Sequence, residues 1–118
     1  IKFFEIERYR KQLVVNLPFG AQKLIGVARA LVMKPKLILL DEPSSGMNRQ
    51  EKEDLARFLL RIRYTLNIPT LWVEHDIKMV GDLADRIIVL NEGRKIADGS
   101  PQEVMTMPNV REAYLGTA

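Results

Sequence analysis

The sequence predicts an α/β domain built around a mostly parallel sheet, and three observations carry that expectation. Short aliphatic runs of strand length, Leu37 to Leu40, Thr70 to Val73 and Ile87 to Leu90, lack the polar alternation of a half-exposed strand. Longer stretches between them repeat apolar residues at intervals of three and four, as an amphipathic helix does. Proline, glycine and capping residues stand at the changeovers. Helices alternating with buried strands give a parallel sheet with helices over both faces.

The elements follow in order. Residues 1–12 mix charged and apolar side chains at helical spacing, and Ile1 to Ile6 reads as the middle of a helix. Asn16 to Gly20 interrupts them as a loop. From Ala21 to Met33, Leu24, Val27, Ala28 and Leu31 form one buried stripe, which Pro35 ends. Lys36 to Leu40 is a strand expected to be covered on both faces; it stops at Asp41-Glu42-Pro43 and a Ser44-Ser45-Gly46 turn. Asn48 caps the next helix, with Glu51 completing a capping box and Leu55, Phe58, Leu59, Ile62 and Leu66 as its apolar stripe. The second strand, Thr70 to Val73, ends at Glu74-His75-Asp76, where Asp76 is placed to cap a helix running towards Leu83. Ile87 to Leu90 is the third strand, Asn91 to Arg94 a turn, and Lys95 to Ala97 the returning hairpin partner. Ser100, Pro101 and Glu103 mark a helix start, and Pro108 opens a last short helix.

Composition narrows the function classes. At 118 residues the chain is at most one domain. Its 18 basic and 15 acidic side chains leave a net charge of only +3, with no dense Lys/Arg block, so nucleic-acid binding is not indicated. No run approaches the ~20 apolar residues of a membrane span, and no signal peptide opens the chain. The lack of cysteine fits a reducing compartment. The chain begins with Ile1 in what reads as mid-helix, so the expectation is a segment cut from something longer.

Chemistry concentrates at strand ends, where open α/β sheets bind ligands. Asp41 and Glu42 are adjacent carboxylates at the tip of a buried strand. If the strand's alternation continues through them they point to opposite sides, one towards a metal and one towards an attacking water. The same pair also suits the plain start of a polar loop. His75, the only histidine, stands at the second strand end; it suits either a structural role or a hydrogen bond to a terminal phosphate. Gly20 precedes a helix start, where N–H groups and the helix dipole favour an anion, though glycine also serves there for local backbone reasons.

Order and context join these signals. Leu17-Pro18-Phe19-Gly20-Ala21-Gln22, then Ala28-Arg29-Ala30-Leu31, then Leu37 to Pro43, resemble the signature motif, helix and Walker B strand of ATP-binding-cassette (ABC) ATPases. Ser45-Gly46-Met47-Asn48 resembles that family's D-loop, and His75 its switch histidine. Ile87 to Gly93 and Gly99-Ser100-Pro101 resemble its terminal hairpin and helix, so the likeness covers residues 13–116. It implies the C-terminal part of a P-loop NTPase (RecA-like) domain with part of the helical signature subdomain. Residues 1–34 would be the helical signature portion, 35–90 the α/β core from Walker B to the switch histidine, and 91–118 the terminal hairpin and helices.

The resemblance also implies roles. Glu42 would polarise the attacking water, Asp41 would hold Mg²⁺ through water, and His75 would contact the γ-phosphate of ATP. The signature residues 17–22 and Asn48 would meet ATP bound to a second ATPase subunit in a head-to-tail dimer. That dimer would drive transmembrane permease subunits from the cytoplasmic face of the membrane. The wording Asn16 to Gly20, Val73 to Val80 and Val110 to Gly116 resembles the ATPases of branched-chain amino-acid importers, with lipopolysaccharide-export and urea-import ATPases also similar. The alternatives are an ABC ATPase outside transport and a non-catalytic remnant that binds a partner.

Several positions depart from the commonest signature, Leu-Ser-Gly-Gly-Gln. Pro18 stands for its serine, Phe19 for its first glycine and Ala21 for its glutamine, and Asn48 stands where many D-loops have aspartate. Pro18 offers a phosphate neither hydroxyl nor N–H, which moves the expected contact to the backbone N–H groups from Gly20 onward. No Gly-x-x-x-x-Gly-Lys-Ser/Thr phosphate loop occurs among these residues.

Overall fold

A computed structural model describes residues 2–116, and the chain divides into two compact units at the junction of Glu74 and His75. The first unit opens with three short 3-10 turns, Lys2–Phe4, Glu7–Tyr9 and Val14–Asn16, the first two of them where the sequence predicts a helix over residues 1–12. Tertiary contacts override the helical spacing. Glu5 takes a left-handed φ of 55°, and its carboxylate accepts hydrogen bonds from Arg57 at 2.8 Å and Arg61 at 3.0 Å. Arg61 also donates to the Phe3 carbonyl, and the buried Phe4 ring lies 5.3 Å from that of Phe58. The segment is docked on a distant helix instead of forming its own.

That helix is α2 (Arg49–Leu66); α1 spans Phe19–Val32, starting two residues before the predicted Ala21. Leu55, Phe58, Leu59 and Ile62 of α2 and Ala21, Leu24 and Val27 of α1 are all buried. Asn48 accepts the Glu51 N–H at 2.9 Å while Glu51 Oε2 accepts the Asn48 N–H at 2.9 Å, the capping box the sequence predicts. Asn67, at φ 54°, closes α2 in the left-handed conformation common after helices.

Strands β1 (Ile38–Asp41) and β2 (Thr70–Val73) pair in parallel, with Ile38 opposite Thr70 and Asp41 opposite Val73. Their coverage departs from the expectation. Ile38 is buried, but Leu39, Leu71 and Val73 on the opposite face are 68%, 59% and 58% exposed. The aliphatic run that predicted two covered faces is present, yet within this unit only one face is covered.

In the second unit, α3 (Ile77–Leu83) is capped by Asp76, which accepts the Met79 N–H at 3.0 Å. β3 (Ile87–Asn91) and β4 (Arg94–Gly99) form an antiparallel hairpin. Glu92 and Gly93 at its turn have φ of 49° and 76°, the two positive values a type I′ turn requires. Among the described residues β3 pairs only with β4, the hairpin partner that the sequence predicts. Helix α4 (Pro101–Thr106) has the predicted Ser100–Glu103 capping box. α5 (Pro108–Val110) runs into one π-helical turn, Arg111–Leu115. Ile87, Val89, Ala97, Val104 and Val110 form the core. The Asn109 side chain donates to the Ile96 carbonyl at 2.9 Å, and the Tyr114 hydroxyl donates to the Leu90 carbonyl, fixing the tail to the hairpin.

The hairpin carries an acid-sensitive tie. Arg86 donates twice to Asp98, at 2.8 Å each, with Lys95 at 3.5 Å. The Arg86 hydrogen bond is the main reason the Asp98 carboxyl falls from its ordinary 3.8 to about 2. A depressed carboxyl stabilises the fold fully above its unfolded value and loses that contribution as pH falls through its folded one. The tie should therefore weaken between about pH 4 and pH 2. A carboxyl-carbon NMR titration should find Asp98 near 2, and Arg86→Gln should return it towards the ordinary range.

Candidate functional site

Asp41 is the last residue of β1, exposed, and by register shares the bare face with Leu39, Leu71 and Val73. Glu42 lies just beyond the strand, half-buried, with φ at 46°. A residue with a Cβ pays roughly 1–3 kcal/mol to sit in that left-handed region and persists there only where its surroundings hold it. Three backbone bonds do so. The Glu42 N–H donates to the Val73 carbonyl at 2.8 Å, and the Glu42 carbonyl accepts from the Ser45 N–H at 3.1 Å and from Lys23 Nζ at 3.1 Å. Asp41 therefore closes the strand and Glu42 begins the turn beyond it, so the strand itself stops at the first of the two carboxylates.

The loop after Glu42 is held from two further sides. Lys23 also donates to the Ser45 carbonyl at 2.9 Å, so one ammonium spans both ends of the turn 42–45. Ser44 is buried, and its N–H donates at 2.8 Å to the carboxylate of Glu74, the residue after β2. Sequence reasoning singled out neither Lys23 nor Glu74 as a partner of this loop. The signal available for Glu74 was its place at a strand end beside His75.

The start of α1 faces the start of α2. Leu17 is buried and its carbonyl accepts the Gln22 side-chain amide at 2.9 Å, which closes the turn around the exposed Pro18. Pro18 is the N-cap of α1, with no side-chain cap. The Gly20 N–H, expected to await a phosphate, instead donates to Glu51 Oε1 at 3.3 Å. A Cβ built on Gly20 would lie 2.8–2.9 Å from the Glu51 side chain, so glycine here makes room for a carboxylate of the same chain. Phe19 packs on Gly46, where a Cβ would sit 2.8 Å from its ring, and the Lys23 ammonium lies 5.1 Å from the ring centroid. Leu17 to Gln22 and Asn48 are thus brought together by the Glu51 carboxylate and by Phe19.

His75 is exposed and opens the second unit. Among the described residues no group of three or more His, Asp or Glu is gathered as a metal site.

The final stretch, residues 94–118, matches the family model of the branched-chain amino acid ATP-binding cassette transporter. The branched-chain amino acid transport ATP-binding protein BraF of Pseudomonas aeruginosa is 38% identical over 103 residues, 87% of this chain and 40% of BraF. The sulfate/thiosulfate import ATP-binding protein CysA 2 of Agrobacterium fabrum is 41% identical over 90 residues, 76% of this chain and 26% of its own length. The solved ADP conformation of MJ1267, an ATP-binding cassette of an ABC transporter, superposes with a TM-score of 0.87 at 28% identity, covering 98% of this chain and 47% of MJ1267. The chain therefore spans less than half the length of each. Fold and sequence place it in the ABC ATPases, with the fold of the C-terminal part of such a P-loop NTPase domain. Within that class it resembles the ATP-binding proteins of branched-chain amino-acid transport.

Proposed function

We propose that this chain supplies the signature and Walker B portion of an ATPase that powers branched-chain amino-acid import. The observation that carries the reading is Glu42, held half-buried in a left-handed conformation beside Asp41 at the carboxyl end of β1. Strain of this kind at a strand-end carboxylate suits a group that must orient a water molecule. Asp41, an exposed hard oxygen donor one residue away, fits a Mg²⁺ ion that takes its other ligands from water and phosphates. The ion would neutralise charge on the transferred phosphoryl group. His75 would donate to the γ-phosphate. The α1 start would meet nucleotide on a second subunit through the Phe19 and Ala21 N–H groups, since Gly20 is engaged by Glu51. Asn48 would stand beside that contact.

On this reading the three stretches 1–34, 35–90 and 91–118 form one partial ATPase domain that works as a head-to-tail dimer beneath permease subunits, on the cytoplasmic face of the membrane. No described helix is long and apolar enough to cross a membrane, which fits a peripheral subunit. The branched-chain assignment rests on residues 94–118 and on BraF.

The phosphate loop, which supplies most backbone donors and the lysine for the β- and γ-phosphates, must then come from outside these residues. The 118-residue chain alone should neither hydrolyse ATP nor bind Mg-ATP with low-micromolar affinity in titration calorimetry. Such affinity would overturn the division of labour proposed here. Joined to a phosphate-loop segment, the same chain should hydrolyse ATP.

A further inference from the structure

Lys23 touches three parts of the candidate site at once. Its ammonium donates to the carbonyls of Glu42 and Ser45, at 3.1 and 2.9 Å, and sits over the Phe19 ring at the start of α1. The Glu42 carbonyl belongs to the peptide that immediately follows the strained φ, so fixing that oxygen fixes the turn that aims the Glu42 side chain. The Ser45 N–H closes the same turn from inside, but its bond is local and turns with the loop. The Val73 carbonyl and the Glu74 carboxylate hold the turn's N–H groups to the end of β2, whereas Lys23 holds its carbonyls and ties them to the first turn of α1, and a charged donor makes the stronger bond to a carbonyl.

We propose that Lys23 is a positioning residue for Glu42, locking the left-handed turn that holds the carboxylate ready and coupling it to the start of α1. The inference rests on the reading of Glu42 as the catalytic carboxylate. Lys23 itself touches no reacting atom. Its loss should leave nucleotide affinity alone and lower the rate at which bound nucleotide is cleaved.

The test uses the complete ATPase, with its phosphate loop, carrying Lys23→Met, Lys23→Arg or Glu42→Gln. Lys23→Met keeps the length of the side chain and removes the charge and the donors. Loss of a charge-assisted bond of this type corresponds to roughly a tenfold or greater fall in kcat. KM for ATP should stay within about twofold, the mark of an interaction that matters only to the chemical step. Lys23→Arg, which keeps a charged donor, should recover most of the rate. Adding Lys23→Met to Glu42→Gln should cost nothing further, and the ATP-trapped dimer of Glu42→Gln should persist. An unchanged kcat in Lys23→Met, or equal impairment of the Met and Arg variants, overturns the proposal. So does a raised KM with loss of the trapped dimer, which would put Lys23 at the partner's nucleotide. If Glu42→Gln itself leaves turnover intact, the underlying reading fails, and that result is distinct from all of these.

Discussion

Replacing Glu42 by glutamine in the complete ATPase should reduce ATP turnover by roughly 10²–10⁴-fold, the usual contribution of a positioned general base, while ATP binding persists. The backbone at residue 42 is fixed through main-chain atoms: its N–H donates to Val73 and its carbonyl accepts from Ser45 and from Lys23. Glutamine keeps the side-chain shape and that backbone grip and loses the charge that activates water. Because closure of the proposed dimer needs ATP but its release needs hydrolysis, the variant should accumulate as an ATP-dependent dimer in size-exclusion chromatography. Steady-state hydrolysis at the unsubstituted rate would show that the catalytic carboxylate lies elsewhere.

Gly20→Asp should likewise stop hydrolysis while leaving binding to the subunit's own phosphate loop nearly intact. The side chain would be driven into Glu51, whose atoms lie 2.8–2.9 Å from where a Cβ must go. Glu51 would have to swing away, and it would meet a like charge in doing so. That movement releases the Gly20 N–H and the Asn48 N–H together, so half of the capping box and the approach of the two helix starts are lost, while Asn48 still accepts the Glu51 N–H. Pro18→Ser should be mild by comparison. A serine there adds one hydrogen bond, a net gain of about 0.5–1.5 kcal/mol, offset by the lost rigidity of proline. ATPase rates at saturating ATP decide the matter. A Pro18→Ser effect as large as that of Gly20→Asp would move the anion contact from the backbone to position 18. Pairing Gly20→Ala with Glu51→Ala tests the route, because removing Glu51 should relieve the crowding that the alanine introduces.

What the sequence made legible was whatever depends on neighbours in the chain. Asn48, Asp76 and Ser100 each cap the helix they were expected to cap, because a cap is decided within three residues. Asp41 and Glu42 stand at a strand end as expected, because an aliphatic run followed by Asp-Glu-Pro has one plain reading. The misses have the opposite character. Residues 1–12 carry helical spacing, but Glu5 is claimed by arginines more than fifty positions away. The left-handed turn at Glu42 has no local signature, since its grip comes from Lys23 and Val73. Gly20 was read as open to a phosphate because nothing near it in sequence announces Glu51, thirty-one residues on. Aliphatic residues in β1 and β2 tell which side chains prefer cover, not whether the cover lies within the same stretch of chain.

That last point bears on how such a segment can exist. Leu39, Leu71 and Val73 meet water on one side of a two-stranded ladder whose outer edges, among the described residues, carry no further strand. Open edges beside an oily surface invite pairing with any extended chain nearby, including another copy of this one. Produced by itself, the segment would be handled by a cell as unfinished material, attractive to chaperones and prone to clump as its concentration rises.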